Sequence, residues 1–586
     1  MEAKRKKQGI FLYYILQYKW KYLFGLITLF IVDMANLYIP QYTGEITDGL
    51  QNHTMTMDDI WILIVKIFLV GATLALGRFL WRYFIFGSSR GIEYRLRNDM
   101  FGHLEKLSSR YFNEHKTGDL MAHFTNDLNA IRMTVGPAII TAFDAIIMTI
   151  MVLAKMVLHI DLQLTLLAVI PLLAIAVGCY YFGKEIEKRY TAKQEAFSSL
   201  SDQVQESLTG IRVIKAFVQE HQELAAFARS NKQNMDKNLH VVKLHAMFIP
   251  LLDGIIGIST LITLLYGGYL AITGGISLGQ FIAFNQYLGM LVWPMIACGD
   301  CINNFSQGRA SARRVQAIFD EKPEIFDEGN LAPVTTLDGS ISFQDLTFAY
   351  PGSQYPALHH ISIEVAPGET LAILGRTGSG KTTFANLLLR LYNTEPGQLS
   401  LSGTEIRRIP LKVLRENIAY VPQDNFLFSS TLEENIAFGV KGCPSEAVVD
   451  AAKAACIHDN IVDFPDGYQT MVGERGVTLS GGQKQRSSIA RALMKDAPLL
   501  ILDDSLSAVD TDTEEQILTN LKENRAGKTT IIIAHRISTI QNADHILVLE
   551  DGQMAEYGTH DELMARQGIY HDMYEKQQLE KQLEAI

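Results

Sequence analysis

The stretch LSGGQKQRSSIARALMKDAPLLILDDSLSAVD, residues 479–510, decides the fold of the second half of the chain. It opens with a glycine-rich turn ahead of a helical pattern and continues into a short apolar run. Asp503 and Asp504 stand at the end of that run. A short apolar run bounded by polar residues is typical of a buried strand in a parallel sheet. The stretch therefore predicts an α/β domain with two carboxylates at the end of a central strand.

A phosphate-binding loop lies upstream, between a predicted strand and a predicted helix. The segment GRTGSGKT at 375–382 fits G-x-x-x-x-G-K-[ST] in full. In this pattern backbone N–H groups hold phosphate oxygens, Lys381 reaches the β- and γ-phosphates, and the Thr382 hydroxyl ligates Mg²⁺. The helix N-terminus adds the positive end of its dipole. The predicted cofactor-binding residues of this loop are Gly375, Arg376, Thr377, Gly378, Ser379, Gly380, Lys381, Thr382 and Thr383.

Composition divides the chain and excludes one class of partner. Of its 586 residues 48% are apolar, and the mean hydropathy of +0.09 is high for a soluble enzyme. Long apolar runs are confined to residues 1–320, an acidic, proline-containing linker is predicted at 321–340, and residues 341–586 have the pattern of a soluble α/β domain. The net charge of −11 provides no broad basic surface, so nucleic-acid binding is not expected.

Six apolar runs in the first part predict six membrane-spanning helices, because each is close to the roughly 20 residues that a bilayer requires. A short amphipathic helix at 8–18 is predicted to lie on the membrane surface ahead of them. The predicted spans cover about 20–42, 58–86, 134–159, 163–183, 246–272 and 278–302.

Basic residues predict the orientation of these spans. Lys and Arg are frequent before the first span and in segments 88–133 and 184–243, whereas none occurs from Gln41 to Val65. The positive-inside rule places the two basic segments and both termini in the cytoplasm. Short breaks at 111–120 and 213–223 predict transverse helices that touch another domain. The alternative for these breaks is a solvated loop.

Ionisable residues inside the spans predict a polar cavity or pairing between helices, because charged groups in lipid face a bundle interior or water. Asp144 and Lys155 are eleven residues apart, about three helical turns, so both can face one way. The ionisable residues of the spans are Asp33, Arg78, Asp144, Lys155, Asp253 and Asp300.

The chain resembles a subunit of an ATP-binding-cassette (ABC) exporter over essentially its whole length, because eight motifs occur in that family's order. Six spans before one ATP-binding domain make it resemble a half-transporter, which implies the type IV exporter fold. The motifs are Tyr350 as the aromatic that stacks on adenine, GRTGSGKT at 375–382 as Walker A, YVPQD with Gln423 as the Q-loop, VGERG at 472–476 before the signature, LSGGQ at 479–483 as the signature, LLILDD at 499–504 as Walker B, SAVD with Asp510 as the D-loop, and IIIAHR with His535 as the switch histidine.

The signature opens a helix, so its N–H groups form a second anion site in a domain that already has a phosphate loop. Two such sites fit a head-to-tail dimer, in which each ATP lies between Walker A of one chain and the signature of the other. The resemblance implies that Gln423 senses Mg²⁺ and the attacking water and that Asp503 is the Mg²⁺-side carboxylate. The predicted nucleotide-binding residues of the signature are Ser480, Gly481, Gly482 and Gln483.

Asp504 stands where this family normally has the glutamate that orients or deprotonates the attacking water. A base must lie within about 2.6–3.2 Å of its proton, and misplacement by about 1 Å costs roughly a hundredfold in rate. We therefore expect Asp504 and the retained His535 to form a slow, degenerate ATP site. The chain thereby resembles the BmrC/LmrC type of subunit in bacterial heterodimeric multidrug exporters, whose partner would carry the glutamate. A homodimer in which aspartate suffices is the alternative.

The resemblance implies ATP-driven export of hydrophobic, amphipathic or cationic compounds from a bacterial plasma membrane. ATP, Mg²⁺, the lipid bilayer and a second half-transporter are the expected cofactors and partners. A lipid flippase would share every motif. From another class, a non-transporting subunit could hold ATP to stabilise a partner. That subunit would leave transport normal when Lys381 and Gln483 are changed.

Overall fold

The computed structural model describes residues 9–327, 329–473 and 479–584 of the chain. It divides them between two compact units. The first comprises Met1–Lys106 with His115–Lys322, and the second comprises Leu107–Glu114 with Pro323–Ile586. The basic residues before the first span and positions 474–476 of the segment before the signature lie outside the described residues.

The first unit is built from helices, several of them much longer than a membrane span. Breaks within the long helices coincide with π-helical turns at His123–Asp127, Thr134–Ala138 and Thr263–Gly267. The helices are Ile10–Gln17, Lys19–Asn36, Tyr38–Gln51, Met57–Leu104, Thr117–Ala122, Leu128–Met133, Ile139–His159, Leu162–Thr209, Ile211–Ala216, Glu220–Ile262, Gly268–Thr273 and Leu278–Asp320.

Five helical stretches among the described residues are long and apolar enough to cross a membrane. They cover the predicted spans 1, 2, 3, 5 and 6. The predicted fourth span coincides with the helix Leu162–Thr209, whose described apolar part is Leu162–Ile175. The long helices start sharply because Thr56 and Ser277 each form a capping box with the residue three positions later.

Lys155 and Asp144 do not share one polar cavity. The Lys155 ammonium donates to Gln41 Oε1 at 3.0 Å and lies 5.4 Å from the centre of the Tyr38 ring. Together with Glu45 and other residues at that end of the helices, it lines a cavity of about 450 Å³. Asp144 instead lies beside Asp33 of a neighbouring helix.

The two predicted breaks contain short helices. The break predicted at 111–120 includes the end of the short helix Ser109–Glu114, which belongs to the second unit. There Arg110 Nη1 donates to Glu324 Oε1 at 2.8 Å, and Asn113 Nδ2 donates to Tyr392 Oη at 3.3 Å. The other break holds the helix Ile211–Ala216, after which Phe217 and Val218 are exposed.

The second unit has two sheets and an α/β core. The larger sheet has the order β10-β9-β3-β8-β7-β6, in which all neighbours are parallel except β10. A smaller antiparallel sheet has the order β2-β1-β4-β5. The strands are β1 (Ile341–Phe348), β2 (Leu358–Val365), β3 (Thr370–Gly375), β4 (Leu399–Leu401), β5 (Thr404–Glu405), β6 (Ile418–Val421), β7 (Leu499–Asp503), β8 (Thr529–Ile533), β9 (His545–Glu550) and β10 (Gln553–Gly558).

Helices pack on the larger sheet, and the central strands β7 and β8 are buried along their whole length. This explains why their sequences, LLILD and TTIII, show no alternation of apolar and polar residues. The fold class predicted from the sequence, a helical membrane region followed by an α/β P-loop domain, is confirmed. The helices of this unit, besides Ser109–Glu114, are Lys381–Leu388, Leu411–Glu416, Leu432–Ile436, Ser445–Ala454, His458–Val462, Gly481–Leu493, Thr511–Asn524, Ile537–Ile540, His560–Arg566 and Ile569–Glu584.

Candidate nucleotide site

Four parallel strands of the larger sheet deliver the candidate site to one edge. The Walker A loop follows β3, Gln423 follows β6, Asp503 ends β7 and His535 follows β8. The carboxyl ends of parallel strands point the same way, which is where open α/β sheets bind ligands. The topology therefore brings together residues that are up to 160 positions apart in the chain.

The Walker A loop is folded around its lysine. Lys381 is 7% exposed, and its ammonium donates to the carbonyls of Gly375 at 2.8 Å and Arg376 at 2.9 Å. Gly380 caps the following helix at φ +97°, and a Cβ there would lie 2.5 Å from Ala357 O, so the turn requires glycine. Burial lowers the pKa of Lys381, while the nearby Asp504 and Asp503 oppose that shift.

Thr382 and Asp503 form the pair that could hold a metal ion. Thr382 Oγ1 donates to Asp503 Oδ1 at 3.2 Å. Asp503 is 1% exposed, its Oδ2 has no donor among the described residues, and burial raises its pKa to about 6. A hydroxyl and a carboxylate are oxygen ligands of the kind that Mg²⁺ binds together with substrate phosphates and water. A divalent cation would satisfy the unpaired oxygen, so these residues fit Mg²⁺.

Asp504 occupies a turn with an unusual backbone. Its φ is +46°, in the left-handed region, and its N–H donates to Ile533 O of β8 at 2.8 Å. Gln423 Nε2 lies 3.5 Å from Asp504 Oδ2. Burial, followed by the charge of Lys381, lowers the pKa of His535, so the neutral imidazole is favoured at neutral pH. The site therefore combines a carboxylate, an amide and a neutral imidazole.

One cavity of about 280 Å³ collects most of these groups. Gly375, Arg376 and Ser379 of the predicted loop do not line it. Gly375 is instead packed against the sheet, since a Cβ there would lie 2.5 Å from Leu549 O. The predicted residues that line the cavity are Tyr350, Thr377, Gly378, Lys381, Thr382, Thr383, Gln423, Asp503, Asp504, His535 and Gly380.

Tyr350 is held at the cavity by two polar contacts. Its hydroxyl donates to Thr383 Oγ1 at 3.1 Å and accepts from Asn386 Nδ2 at 3.1 Å. The edge of its ring meets Tyr392, with 5.0 Å between the ring centres and an angle of 87°. This packing orients an aromatic ring beside the phosphate loop, as stacking on a purine would require.

The signature residues lie apart from this cavity. Ser480 caps the helix Gly481–Leu493, and Gln483 Oε1 accepts from Ser480 N at 3.0 Å, completing a capping box. Asp510 caps the helix Thr511–Asn524 by accepting from Thr513 N at 3.0 Å, and this bond lowers the pKa of Asp510. None of the predicted residues of the signature or the D-loop lines the cavity that holds Asp504.

Sequence reasoning missed the side chains that hold the switch histidine. Gln577 Nε2 donates to His535 O at 2.8 Å, and Gln577 Oε1 accepts from Ile537 N at 2.8 Å. The buried Glu514 accepts from Arg536 Nη1 at 3.1 Å and from Thr539 Oγ1. Gln577 lies on the C-terminal helix, in a polar segment without a motif, so no local pattern could have indicated its role.

Comparison with known proteins agrees with this geometry. Residues 22–295 match the family model of the ABC transporter transmembrane region, and residues 358–507 match that of the ABC transporter. The probable multidrug resistance ABC transporter ATP-binding/permease protein YheI of Bacillus subtilis is 40% identical over 559 residues, 95% of each chain. The multidrug resistance-like ATP-binding protein MdlA of Escherichia coli is 38% identical over 96% of this chain and 95% of its own.

Two further similarities broaden the comparison. The ATP-dependent lipid A-core flippase of Syntrophus aciditrophicus is 38% identical over 82% of this chain and 80% of its own. The structure of a bacterial Atm1-family ABC exporter with ATP bound matches with a TM-score of 0.80 and 27% identity, covering 95% of this chain and 99% of that one. With its membrane-spanning helices and phosphate loop, the chain belongs to the ABC transporters, as an exporter of Atm1-like fold whose ATPase domain is coupled to transport.

Proposed function

We propose that the chain is one half of a heterodimeric exporter of hydrophobic, amphipathic or cationic compounds, in which its own Walker motifs form a slow ATP site. The proposal of a slow ATP site rests on one observation: residue 504 is an aspartate, whose side chain is one methylene shorter than that of glutamate. Asp504 faces the cavity shared with Lys381 and Thr382. The proposal of drug-like cargo is supported by the multidrug resistance named for the relatives YheI and MdlA.

The two halves of the opening stretch would serve two different ATP molecules. Asp503 and Asp504 line the cavity of this chain, whereas the signature residues do not. An ATP held by this chain's Walker A loop would be completed by the signature of the partner. This chain's Ser480, Gly481, Gly482 and Gln483 would complete the partner's site. That partner would carry glutamate after Walker B and hydrolyse ATP faster.

Each described side chain has a role in this scheme. Lys381 would bind the β- and γ-phosphates, and Thr382 with Asp503 and Gln423 would hold Mg²⁺, which supplies charge neutralisation for phosphoryl transfer when bound. Asp504 would accept a proton from the attacking water or orient it. His535, kept neutral by burial and by Lys381, would contact the transferred phosphate. Asp510 would anchor the loop that meets the partner.

A path for coupling is supported inside the second unit. Asn113, on the short helix Ser109–Glu114, donates to the Tyr392 hydroxyl, and Tyr392 packs edge-on against Tyr350. Movement of the helix would therefore reach the aromatic ring proposed to stack on adenine. We infer that ATP binding and the position of this helix are linked through Tyr392. The bacterial plasma membrane, with both termini in the cytoplasm, is the proposed location.

ATPase measurements in lipid test the slow site. The purified chain alone should hydrolyse ATP slowly, and co-expression with a half-transporter that carries glutamate after Walker B should give fast, drug-stimulated hydrolysis. Fast turnover by the chain alone, abolished by Asp504→Ala, would contradict the slow site and favour the homodimer. Normal transport after Lys381→Ala and Gln483→Ala would favour the regulatory subunit.

Lipid transport is a second candidate, favoured by the 38% identity to a lipid A-core flippase. The two candidates differ in what stimulates hydrolysis. A drug exporter should respond to amphipathic cations in vesicles of neutral lipid, whereas a flippase should respond to the lipid composition of the vesicle without added drug.

A further inference from the structure

Two carboxyl groups meet inside the membrane region of the first unit. Asp33 lies on the helix Lys19–Asn36, and Asp144 lies on the helix Ile139–His159. Asp33 is 4% exposed. Its carboxyl is within hydrogen-bonding reach of the Asp144 carboxyl. Both helices contain stretches apolar enough to cross a bilayer, and Asp33 is fourteen residues, about 21 Å, along the first of them.

Among the described residues, no positive side chain is close enough to Asp33 to offset its charge. Among the described residues of the surrounding helices, Asp144 is the one charged group that interacts electrostatically with Asp33. Lys155 is engaged by Gln41 and Tyr38. The remaining ionisable groups of the predicted spans, Arg78, Asp253 and Asp300, have exposed side chains.

The unpaired atom points to a missing positive partner. Asp33 Oδ2 is fully buried and has no hydrogen-bond donor among the described residues. Two ionised carboxylates in contact cannot both remain charged in a low-dielectric environment, so such pairs bind one proton between them. An intramembrane carboxylate is also costly without a counter-charge. The pair of Asp33 and Asp144 therefore requires one positive charge, supplied by a proton or a cation.

We propose that Asp33 and Asp144 form a site for a single positive charge, which a proton or the ammonium group of a cationic cargo molecule fills in turn. A shared proton bridges the two carboxyls when no cargo is present. Entry of a cation releases that proton, because both neutralise the same charge. The shared proton is inferred from the burial of Asp33, its Oδ2 without a donor and the neighbouring Asp144, and the exchange with cargo rests on the proposed export function.

Infrared spectroscopy tests the proton directly. In the full chain reconstituted in lipid at neutral pH, the C=O stretch of a protonated carboxyl should be present and should disappear in Asp33→Asn. The same band should persist in Asp253→Asn, a matched control that removes an exposed aspartate of another span. Asparagine keeps the size of aspartate but does not ionise, so the fold should be preserved. An identical carboxyl band in wild type and Asp33→Asn would overturn the shared proton.

ATPase stimulation tests the exchange. The stimulating compound is a permanently cationic dye such as ethidium. In the pH range where the pair holds its proton, the dye concentration that gives half-maximal stimulation of the wild type should rise about tenfold for each unit by which the pH is lowered, as one-for-one competition requires. In the Asp33→Asn, Asp144→Asn double variant this concentration should no longer depend on pH, while stimulation by an uncharged amphiphile should remain. A pH-dependent response in the double variant would overturn the exchange. If no drug stimulates the wild type, the export function fails while the infrared result still decides the proton.

Discussion

Gln423 Nε2 lies 3.5 Å from Asp504 Oδ2, across the ends of the neighbouring strands β6 and β7. The contact shows where the shorter carboxylate ends: beside the amide proposed to hold Mg²⁺ and water. A glutamate at 504 would extend the carboxylate by one C–C bond, about 1.5 Å. That distance is large on the scale at which catalytic geometry fails.

Lengthening the side chain at position 504 should restore the reach of the carboxylate. Asp504→Glu should raise ATP hydrolysis by the assembled complex, by up to about a hundredfold at this site, because the base reaches the water. ATP affinity should stay unchanged, since Lys381 is proposed to bind the phosphates and Thr382 to bind Mg²⁺. Turnover and equilibrium nucleotide binding check the two parts separately. Asp504→Asn is the matched control and should not gain activity. Tighter binding without faster turnover in Asp504→Glu would contradict the interpretation.

The second prediction separates the two ends of the opening stretch. Ser480→Ala removes the cap of the helix Gly481–Leu493, at a cost of about 1 kcal/mol in helix stability, and weakens the signature. In the proposed heterodimer it should lower total hydrolysis more than Asp504→Ala does, because it damages the partner's fast site. Steady-state ATPase rates of the two variants in the same complex give the comparison. The reverse order would argue against sites shared head to tail.

The third prediction uses the buried Asp503. Burial raises its pKa to about 6 in the folded chain, so the folded state binds this proton more tightly than the unfolded state. The contribution of Asp503 to the free energy of unfolding therefore falls as pH rises from about 4 to about 6. Asp503→Asn removes this cost and should increase the free energy of unfolding by about 1–3 kcal/mol above pH 6, while abolishing Mg²⁺-dependent ATP binding.

Thermal unfolding of the nucleotide-free chain checks the third prediction. The difference in Tm between Asp503→Asn and wild type should be positive at pH 8 and should vanish at pH 4. Thr382→Val is a useful comparison, because it removes the donor to Asp503 but retains the buried carboxyl. Equal Tm values at pH 8 for Asp503→Asn and wild type would refute the burial argument.

The fourth prediction addresses the C-terminal helix. Gln577→Ala removes two hydrogen bonds that hold the backbone on either side of Arg536. The switch histidine should then be misplaced, so in the purified chain without a partner kcat should fall about tenfold or more with KM for ATP unchanged. Gln578→Ala is the matched control, because Gln578 is the exposed neighbour on the same helix. A rise in KM with unchanged kcat would show that Gln577 supports nucleotide binding rather than the histidine.

Local motifs predicted the phosphate loop and the strand-end carboxylates because both depend on short-range chemistry. GRTGSGKT requires glycines at tight turns, and the run ending at Asp503 is apolar because β7 is buried on both faces. The membrane spans were equally local, since length and hydropathy suffice to recognise them. The fourth span stays a prediction, and its residues lie within the long helix Leu162–Thr209, whose described apolar part is Leu162–Ile175.

Side-chain partners on different helices could not be predicted in this way. Helical periodicity allowed Asp144 and Lys155 to face the same way, but it carries no information about the neighbouring helices. Packing instead placed Asp144 beside Asp33 and Lys155 beside Gln41. The support of His535 by Gln577 likewise joins positions 42 residues apart.

The sequence by itself determined the class of protein, the nucleotide chemistry and the shorter carboxylate at 504, because each of these depends on residue identity at fixed spacing. Only the tertiary structure decided which residues share the cavity, which lie apart from it, and that two acids meet in the membrane region. Those relationships depend on strand order and helix packing. Contacts between distant segments are set by the burial of whole faces, and a linear spacing does not record them.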